Sequence, residues 1–222
     1  MTELASQPDT APSVWQSAVT LMTVAAICTA LVAMTYYGTR QQIADNEQAW
    51  LEQSLKPAIS GVPYEGDLTS DPLVISAPNE LPGAGDAVVY RVQSGGNVVA
   101  ALFVVTATDG FVGPIRLLIG LQDDGTLTGV RILEHKETPG IGDLVDQSRS
   151  DWVEQFVERS LGSPPVELWA IQRDGGEFDQ VTGASITPRA IVKAIRETLV
   201  YFEAHRESIL TLPSTGEAVT PE

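Results

Sequence analysis

The clearest chemistry in this sequence lies in residues 179–188, which read Asp-Gln-Val-Thr-Gly-Ala-Ser-Ile-Thr-Pro. They bring several hydroxyl groups to the start of an amphipathic segment typical of an α-helix. Thr187 is predicted to be the N-cap residue and Pro188 the first helical residue, where a missing N–H costs nothing. Because the unpaired N–H groups of a helix N-terminus attract anions, the segment favours a phosphate. An ordinary capped helix after a turn would have the same residues, so these alone leave both interpretations open.

A second polar segment covers residues 134–143 and reads Glu-His-Lys-Glu-Thr-Pro-Gly-Ile-Gly-Asp. Pro139 and Gly140 predict a turn of fixed direction. Glu137 and Thr138 could then project polar groups into a cleft, next to the imidazole of His135. Taken alone, the segment is more simply explained as a solvated surface turn.

Residues 179–188 resemble the flavin-attachment motif of proteins that carry FMN through a phosphoester bond to a Thr or Ser hydroxyl. That motif is an acidic residue, here Asp179, followed by Ser/Thr-Gly-Ala-Thr/Ser, here Thr182-Gly183-Ala184-Ser185, and often a further Thr, here Thr187. The resemblance implies that Ser185 is the covalent FMN acceptor, at a position where the family usually has Thr. Thr187 is the alternative acceptor.

The loop carries the other hallmark of the same FMN-binding domain, Glu137-Thr138-Pro139-Gly140 followed by an apolar residue and Gly. Two motifs in the expected order are far more specific than either one. The resemblance implies that the loop lines the flavin cleft and that Thr138 hydrogen-bonds the ring or the ribityl chain. Glu137 would be a recognition point for a flavin transferase or for the ring edge. An electron carrier needs no acid–base pair or nucleophile, so we expect no catalytic residue and no metal site.

The segments around these motifs predict an α+β fold built on a small antiparallel sheet. Closely spaced apolar runs separated by Gly turns are typical of hairpins. The predicted strands are residues 73–75, 87–92, 98–106, 115–121 and 127–133. Helices are predicted at residues 151–160 and 188–205, and residues 166–171 are strand-like. The second helix has one apolar face, formed by Ile191, Ile195, Leu199 and Phe202.

An apolar run near the N-terminus predicts a transmembrane anchor. Residues 14–37 include no charged residue, and a membrane-spanning helix needs roughly 20 predominantly apolar residues. Trp15 at one end and Tyr36 at the other fit the aromatic belts of the two interfaces. A cleaved signal peptide would begin with basic residues, whereas only Glu3 and Asp9 carry charge before this run.

The chain is predicted to have one globular domain behind this anchor. The predicted segments are an N-terminal tail (1–13), the anchor (14–37), a connecting helix and loops (38–85), an FMN-binding domain (86–205) and a C-terminal tail (206–222). The connecting helix is predicted at residues 40–55 and should end before Pro57.

The composition limits the classes of partner and site. The 222 residues include 13 Lys plus Arg and 29 Asp plus Glu, for a formal net charge of −16. Such acidity argues against nucleic acid, whose phosphates the chain would repel. The single cysteine, Cys28, lies in the apolar run, so the globular part has no disulfide, thiolate nucleophile or Cys ligands.

With the anchor added, the sequence resembles the G-subunit family of Rnf/Rsx ion-translocating electron transport complexes. The resemblance extends from the anchor to about Phe202 and is strongest over residues 133–195. It implies a subunit that relays electrons through FMN within a complex coupling ferredoxin/NAD electron transfer to ion translocation. The implied partners are the other membrane and redox subunits, a flavin transferase and the lipid bilayer. The implied location is the bacterial inner membrane, with a single span and the flavin domain in the periplasm.

Other interpretations stay open from the sequence. The C-type component of the sodium-pumping NADH:quinone reductase shares this organisation, and a membrane scaffold could keep the fold without a flavin. Flavin-binding regulatory membrane proteins usually add further spans and Cys-rich clusters that this chain lacks. The nearest basic residue to the span is Arg40, on its C-terminal side, so charge alone favours a cytoplasmic domain. Large domains, however, translocate largely regardless of charge.

Overall fold

A computed structural model of the protein describes residues 14–59, 61–70, 72–181 and 183–212, without the side chains of 14, 37 and 40–53. The chain divides into two compact units, Met1–Ala49 and Trp50–Glu222. The elements, in chain order, are helix α1 (Val14–Ala58), strands β1 (Pro72–Ile75), β2 (Ala87–Ser94), β3 (Asn97–Ala107), β4 (Ile115–Gln122) and β5 (Leu127–Glu134), and helix α2 (Ile186–Leu210).

The N-terminal part of α1 contains the predicted apolar helix. The segment Trp15–Tyr36 has a mean hydropathy of 2.1 and none of it is buried inside the protein, so it is long and apolar enough to cross a membrane. Threonine hydroxyls along it donate to the carbonyl four residues earlier, at 2.8–2.9 Å: Thr20, Thr23, Thr29 and Thr35. These bonds satisfy the hydroxyls within the helix, as an apolar surrounding requires.

The end of α1 differs from the prediction, because the helix continues through Pro57 to Ala58. A proline in a helix removes one backbone hydrogen bond and normally ends or kinks the helix. Here the last turn is held by burial, since Leu55, Ala58 and Ile59 are at most 2% exposed and pack on one face of the sheet. Apolar burial of this kind offsets the lost bond.

Two glycines in the sheet allow this last turn to approach closely. A Cβ on Gly120 would lie 2.2 Å from Ala58 O, and one on Gly129 would lie 3.1 Å from Ala58 Cα. The Thr128 hydroxyl also donates to Ala58 O. Contact between the helix end and β4–β5 therefore depends on glycine at both positions.

The sheet is an antiparallel meander in which each strand pairs with the next in sequence, in the order β1-β2-β3-β4-β5. The tight turn between β2 and β3 uses Gly95 and Gly96, with φ of +58° and +81°. All five predicted strands are confirmed. Strand β3 is buried on both faces, because the last turn of α1 with Ile59 covers one face and α2 covers the other.

Helix α2 packs its predicted apolar face on the second face of the sheet. Ile191, Ile195, Leu199 and Phe202 are at most 1% exposed. The helix begins two residues before the predicted start and ends five residues after the predicted end, with a break in helical geometry at His205 (φ −120°, ψ 16°).

The predicted helix at 151–160 is wrong. The segment forms only a short 3-10 helix, Trp152–Phe156, which is followed by a turn in which Glu158 has a φ of +64°. The physical reason is pairing with β5: Glu158 N donates to Leu127 O at 2.9 Å, and Leu127 N donates to Arg159 O at 2.7 Å. Tertiary hydrogen bonds thus override local helix propensity.

The strand-like segment 166–171 is also not a strand. Its first residues form a 3-10 turn, Val166–Leu168, and only Ile171 makes an isolated bridge, to Phe178. The apolar residues of this region serve the core instead. Trp169 and Phe178 are 1% and 2% exposed, with ring centroids 4.7 Å apart.

Candidate functional site

The two sequence motifs meet across one cavity of about 240 Å³. Its lining comes from the loop after β3, the loop after β5 and the start of α2, and consists of Phe111, Glu137, Thr138, Ile141, Gly142, Gly183, Ala184, Ser185, Ile186 and Thr187. Of the predicted site residues, six therefore line the same space: Glu137, Thr138, Gly183, Ala184, Ser185 and Thr187. The predicted Thr182 lies outside the described residues.

Glu137 lies under this cavity and joins three segments of the chain. It is 4% exposed; its Oε1 accepts the Val112 N–H at 3.1 Å, and its Oε2 accepts the Thr187 hydroxyl at 2.7 Å. A buried carboxylate needs such donors, because removal from water is costly when its oxygens are unpaired. The side chain thus holds the loop before β4, its own loop and the first turn of α2 together.

Two glycines leave room for the Glu137 side chain. A Cβ on Gly142 would lie 2.8 Å from Glu137 Oε2. A Cβ on Gly110 would lie 3.1 Å from Glu137 Oε1 and 2.1 Å from Gly113 O. The Glu137 carboxylate therefore occupies space that a side chain at Gly110 or Gly142 would fill.

The loop after β5 forms the predicted turn. Gly140 has a φ of +78°, and the N–H groups of Ile141 and Gly142 both donate to Thr138 O, at 3.2 and 3.0 Å. Asp143 closes the turn by accepting the Gly140 N–H at 2.6 Å. Pro139 and Gly140 shape the loop without lining the cavity, whereas the exposed Thr138 side chain is at its edge.

The predicted N-cap is wrong, because Ser185 and not Thr187 occupies that position. Helix α2 begins at Ile186, so Thr187 and Pro188 lie inside its first turn, and both are buried. The Thr187 hydroxyl bonds the Glu137 carboxylate, and a charge-assisted bond of this kind is stronger than a bond to a backbone N–H. The Ser185 side chain makes no capping bond.

Gly183, which precedes Ala184 in the acceptor motif, has a backbone conformation that favours glycine. Gly183 has a φ of +87°, a conformation that side chains with a Cβ rarely adopt. The turn is closed by Ala184 N donating to Val181 O at 3.1 Å. The glycine of the motif therefore sets the direction in which Ser185 leaves the turn.

Ser185 is half-buried at the mouth of the cavity, and its Oγ accepts a hydrogen bond from Arg173 Nη1 at 3.1 Å. Arg173 precedes Asp174, which takes two hydrogen bonds from Arg189, at 2.6 and 2.8 Å. The Arg189 hydrogen bond holds the pKa of Asp174 below its usual value, and the same bond raises the pKa of Arg189. Two guanidinium groups thus lie beside the start of α2.

Arg173 was not found from the sequence. It lies in a polar loop twelve positions before Ser185, and no local pattern connects the two residues. Only the fold between them brings them together. A search for basic residues in the loops near the predicted helix start could have proposed it.

Asp179 lies outside this cavity, and its hydrogen bonds hold the backbone in place. Its Oδ1 accepts from Gln172 Nε2 at 2.7 Å, and its backbone N–H donates to Gln155 Oε1 at 2.7 Å. Its carbonyl accepts the Trp152 indole N–H at 2.8 Å. These bonds fix the chain that leads into the acceptor motif, and Asp179 lines a different depression.

Apolar side chains surround the mouth of the cavity and were also missed from the sequence. Phe111, Ile141 and Ile186 are 65%, 47% and 44% exposed. Large exposed apolar groups beside a concave site are typical of surfaces that bind an apolar ligand or another protein.

Comparison with known proteins identifies the family. The FMN-binding domain profile matches residues 110–200, a range that contains both motifs, and the RnfG N-terminal region profile matches residues 1–57. The G subunit of the ion-translocating oxidoreductase complex of Pseudoalteromonas atlantica is 39% identical over 187 residues, which cover 84% of this chain and 87% of that protein. Its counterpart from Shewanella baltica is 39% identical over 194 residues, with 87% and 92% covered.

The chain belongs to the G-subunit family of ion-translocating oxidoreductase complexes. This confirms the family that the two motifs and the anchor indicated. It favours the G-subunit interpretation over the C-type alternative.

Solved structures support the fold of this G-subunit family member. NqrC of Shewanella oneidensis superposes with a TM-score of 0.52 at 18% identity, covering 74% of this chain and 98% of that one. The C-type component of the Na⁺-translocating NADH-quinone reductase of Parabacteroides distasonis superposes with a TM-score of 0.52 at 14% identity, with 78% and 98% covered. The predicted α+β fold with an antiparallel sheet is confirmed.

The residues around the cavity fit FMN. The apolar rim suits a planar aromatic ring, and the polar edge at Thr138 suits its oxygen and nitrogen atoms. Ser185 with Arg173 offers a hydroxyl and a cation at the same point, where a phosphate could be held. The FMN-binding domain assigned to residues 110–200 and this donor set agree.

Proposed function

We propose that this chain is the membrane-anchored electron-transfer subunit of an Rnf/Rsx-type ion-translocating oxidoreductase complex and carries its FMN covalently on Ser185. The observation that supports this most is the meeting of both motifs at one cavity, with the Ser185 hydroxyl at its mouth. When bound, the flavin supplies the redox chemistry, and the protein supplies position and electrostatics. The other membrane and redox subunits of the complex are the proposed electron partners.

Burial and hydrogen bonding favour Ser185 over Thr187 as the acceptor. Thr187 is 0% exposed, and its hydroxyl is donated to Glu137. A flavin on Thr187 would break that bond and require the first turn of α2 to open. Ser185 is half-buried and its hydroxyl makes no bond within its own helix, so it can reach an enzyme that delivers the flavin.

The attachment is a phosphoryl transfer from a donor that a flavin transferase presents. FMN is a phosphate monoester with no good leaving group, so the donor must be a phosphoanhydride such as a flavin dinucleotide. Ser185 would supply the oxygen of the new phosphoester bond, and the broken anhydride P–O bond would release adenosine monophosphate with its electron pair. The hydroxyl proton passes to a base, and no oxidation or reduction occurs.

Five of the lining residues have a proposed part in holding the cofactor. Thr138 would hydrogen-bond the ring or the ribityl chain, since its side chain is at the cavity edge. Phe111, Ile141 and Ile186 would exclude water from the apolar ring. Glu137 would act indirectly, because both of its oxygens already hold Val112 and Thr187.

The attachment is tested by co-expressing the full chain with a flavin transferase and measuring flavin absorbance after acid precipitation, together with intact mass. The wild type should retain one flavin per chain, Ser185→Thr should retain it, and Ser185→Ala should lose it. Circular dichroism of Ser185→Ala should match that of the wild type. A precipitate without flavin from the wild type would favour a scaffold subunit of the same fold.

We also propose a single span in the bacterial inner membrane, with the residues after it in the periplasm. The uncharged Trp15–Tyr36 helix supports the span, and the periplasmic side is what the resemblance to the Rnf/Rsx G-subunit family implies. A reporter fused after Glu222 should give an extracytoplasmic signal. A cytoplasmic signal would agree with Arg40 as a positive-inside residue and contradict the topology.

A further inference from the structure

Arg173 reaches the proposed acceptor from a separate part of the chain. Its Nη1 donates to Ser185 Oγ at 3.1 Å. The backbone around it is held by hydrogen bonds, because Gln172 N donates to Phe178 O at 2.8 Å and Gly176 N donates to Ile171 O at 3.1 Å. The 3-10 turn Gln172–Asp174 therefore holds the guanidinium near the start of α2.

The neighbouring charges leave Arg173 available to an anion. Asp174 is the carboxylate beside it in sequence, and Arg189 already binds both oxygens of Asp174. The pKa of Asp174 is lowered chiefly by the Arg189 hydrogen bond, so the carboxylate stays ionised and paired at neutral pH. The charge of Arg173 also lowers the pKa of Asp174, but among the described residues Arg173 forms no salt bridge and its side chain donates to the neutral Ser185 hydroxyl.

The requirement for a cation at this point follows from charge. The chain has a formal net charge of −16, and a phosphodiester on Ser185 adds one further negative charge. Without a local cation the attached phosphate would lie in a field that repels it. A guanidinium offers several N–H donors in a fork that matches phosphate oxygens.

We propose that Arg173 binds the phosphate group that links FMN to Ser185, both during attachment and afterwards. This rests on the proposed attachment to Ser185 and adds a positioning residue to it. During transfer, Arg173 stabilises the negative charge that develops on the phosphoryl oxygens. After transfer, the same guanidinium holds the diester at the mouth of the cavity and limits the directions in which the flavin can leave it.

The first test measures the rate of flavin incorporation into the full-length protein by a purified flavin transferase with flavin dinucleotide. Arg173→Gln should slow incorporation by about 10-fold or more, because a hydrogen bond to a charged group is lost. Arg173→Lys should restore part of the rate, since it keeps the charge without the fork. Arg206→Gln is the control for the loss of one positive charge; it lies roughly 30 Å from Ser185 along α2 at 1.5 Å per residue, and it also removes the Arg206 hydrogen bond to Asp124 O and the ion pair with Glu203.

The second test measures the ³¹P resonance of the attached diester after complete flavinylation with excess transferase. Arg173→Gln should shift this resonance from its wild-type position, and Arg206→Gln should leave it unchanged. An unchanged rate in Arg173→Gln would overturn the proposal. A slower rate with an unchanged resonance would also overturn it, because Arg173 would then act only in recognition by the transferase.

The result separates this proposal from the attachment itself. If wild-type protein gains no flavin, or gains it at another residue, the proposed function fails before Arg173 is tested. If the wild type carries flavin on Ser185 and Arg173→Gln behaves like wild type in both measurements, only the role of Arg173 fails.

Discussion

Ser185 and Thr187 stand two residues apart at the start of the same helix, yet the fold gives their hydroxyls opposite properties. Thr187 is fully buried and donates to a buried carboxylate, whereas Ser185 is half-buried and accepts from an exposed arginine. The Thr187 hydroxyl holds the segments of the site together, and the Ser185 hydroxyl is available for chemistry. Residue type and spacing in the sequence do not distinguish the two hydroxyls. The burial of each side chain and its hydrogen-bond partner separate the structural hydroxyl from the reactive one.

The structural side of this comparison depends most on Glu137, so its removal should have the largest effect on stability. Glu137→Leu leaves the buried Thr187 hydroxyl and the part-buried Val112 N–H without their acceptor, and an unpaired group that is fully buried costs roughly 1–3 kcal/mol. We expect the free energy of unfolding to fall by at least about 2 kcal/mol in denaturant titrations. Flavin incorporation should fall as well, because the cavity loses the link between its segments.

Glu137→Gln is the matched control for this variant. Gln has nearly the same shape and keeps one oxygen acceptor, so it should retain more of the unfolding free energy than Leu does. Equal stability of Glu137→Leu and the wild type would show that the buried carboxylate does not hold the three segments together.

A smaller effect is expected from removing the Thr187 hydroxyl alone. Thr187→Val keeps the side-chain shape and leaves Glu137 Oε2 without one donor, so the free energy of unfolding should fall by roughly 1–3 kcal/mol. Because Ser185 is intact, the protein should still carry one flavin by intact mass. Loss of the flavin with a normal fold would instead make Thr187 the acceptor and reverse the comparison.

Thr138→Val makes the same chemical change at an exposed position of the cavity edge. Its unfolding free energy should stay within about 0.5 kcal/mol of the wild type, as for most surface changes. If Thr138 contacts the flavin, the absorption spectrum or the flavin yield should change in this variant. The pair of Thr→Val variants therefore separates stability from cofactor contact.

The sequence predicted those parts of the fold that have a local pattern of apolar and polar residues. The five strands followed from apolar runs between Gly turns, and Ile191 to Phe202 showed the buried face of α2 by its periodicity. The segment 151–160 has similar local propensity, but the backbone bonds of Glu158 and Arg159 to Leu127 keep it from continuing as a helix. Such partners are distant in sequence and leave no local pattern.

The site followed the same rule. Both motifs were found because each is a continuous run, and in the structure residues of both line one cavity. The N-cap at Ser185 was missed because Glu137, fifty positions earlier, takes the Thr187 hydroxyl. Arg173 and Phe111 were missed because their contribution depends on loops that the fold brings to the cavity.

The position of the flavin on the wild-type chain tests the central claim most directly. After co-expression with a flavin transferase, proteolysis of the acid-precipitated protein should release one yellow peptide that contains both Ser185 and Thr187. Fragmentation that preserves the phosphoester should place the flavin mass on Ser185 and leave Thr187 unmodified. Fragments that carry the flavin on Thr187 would contradict the account, because that hydroxyl is assigned to Glu137 and to the interior of the protein.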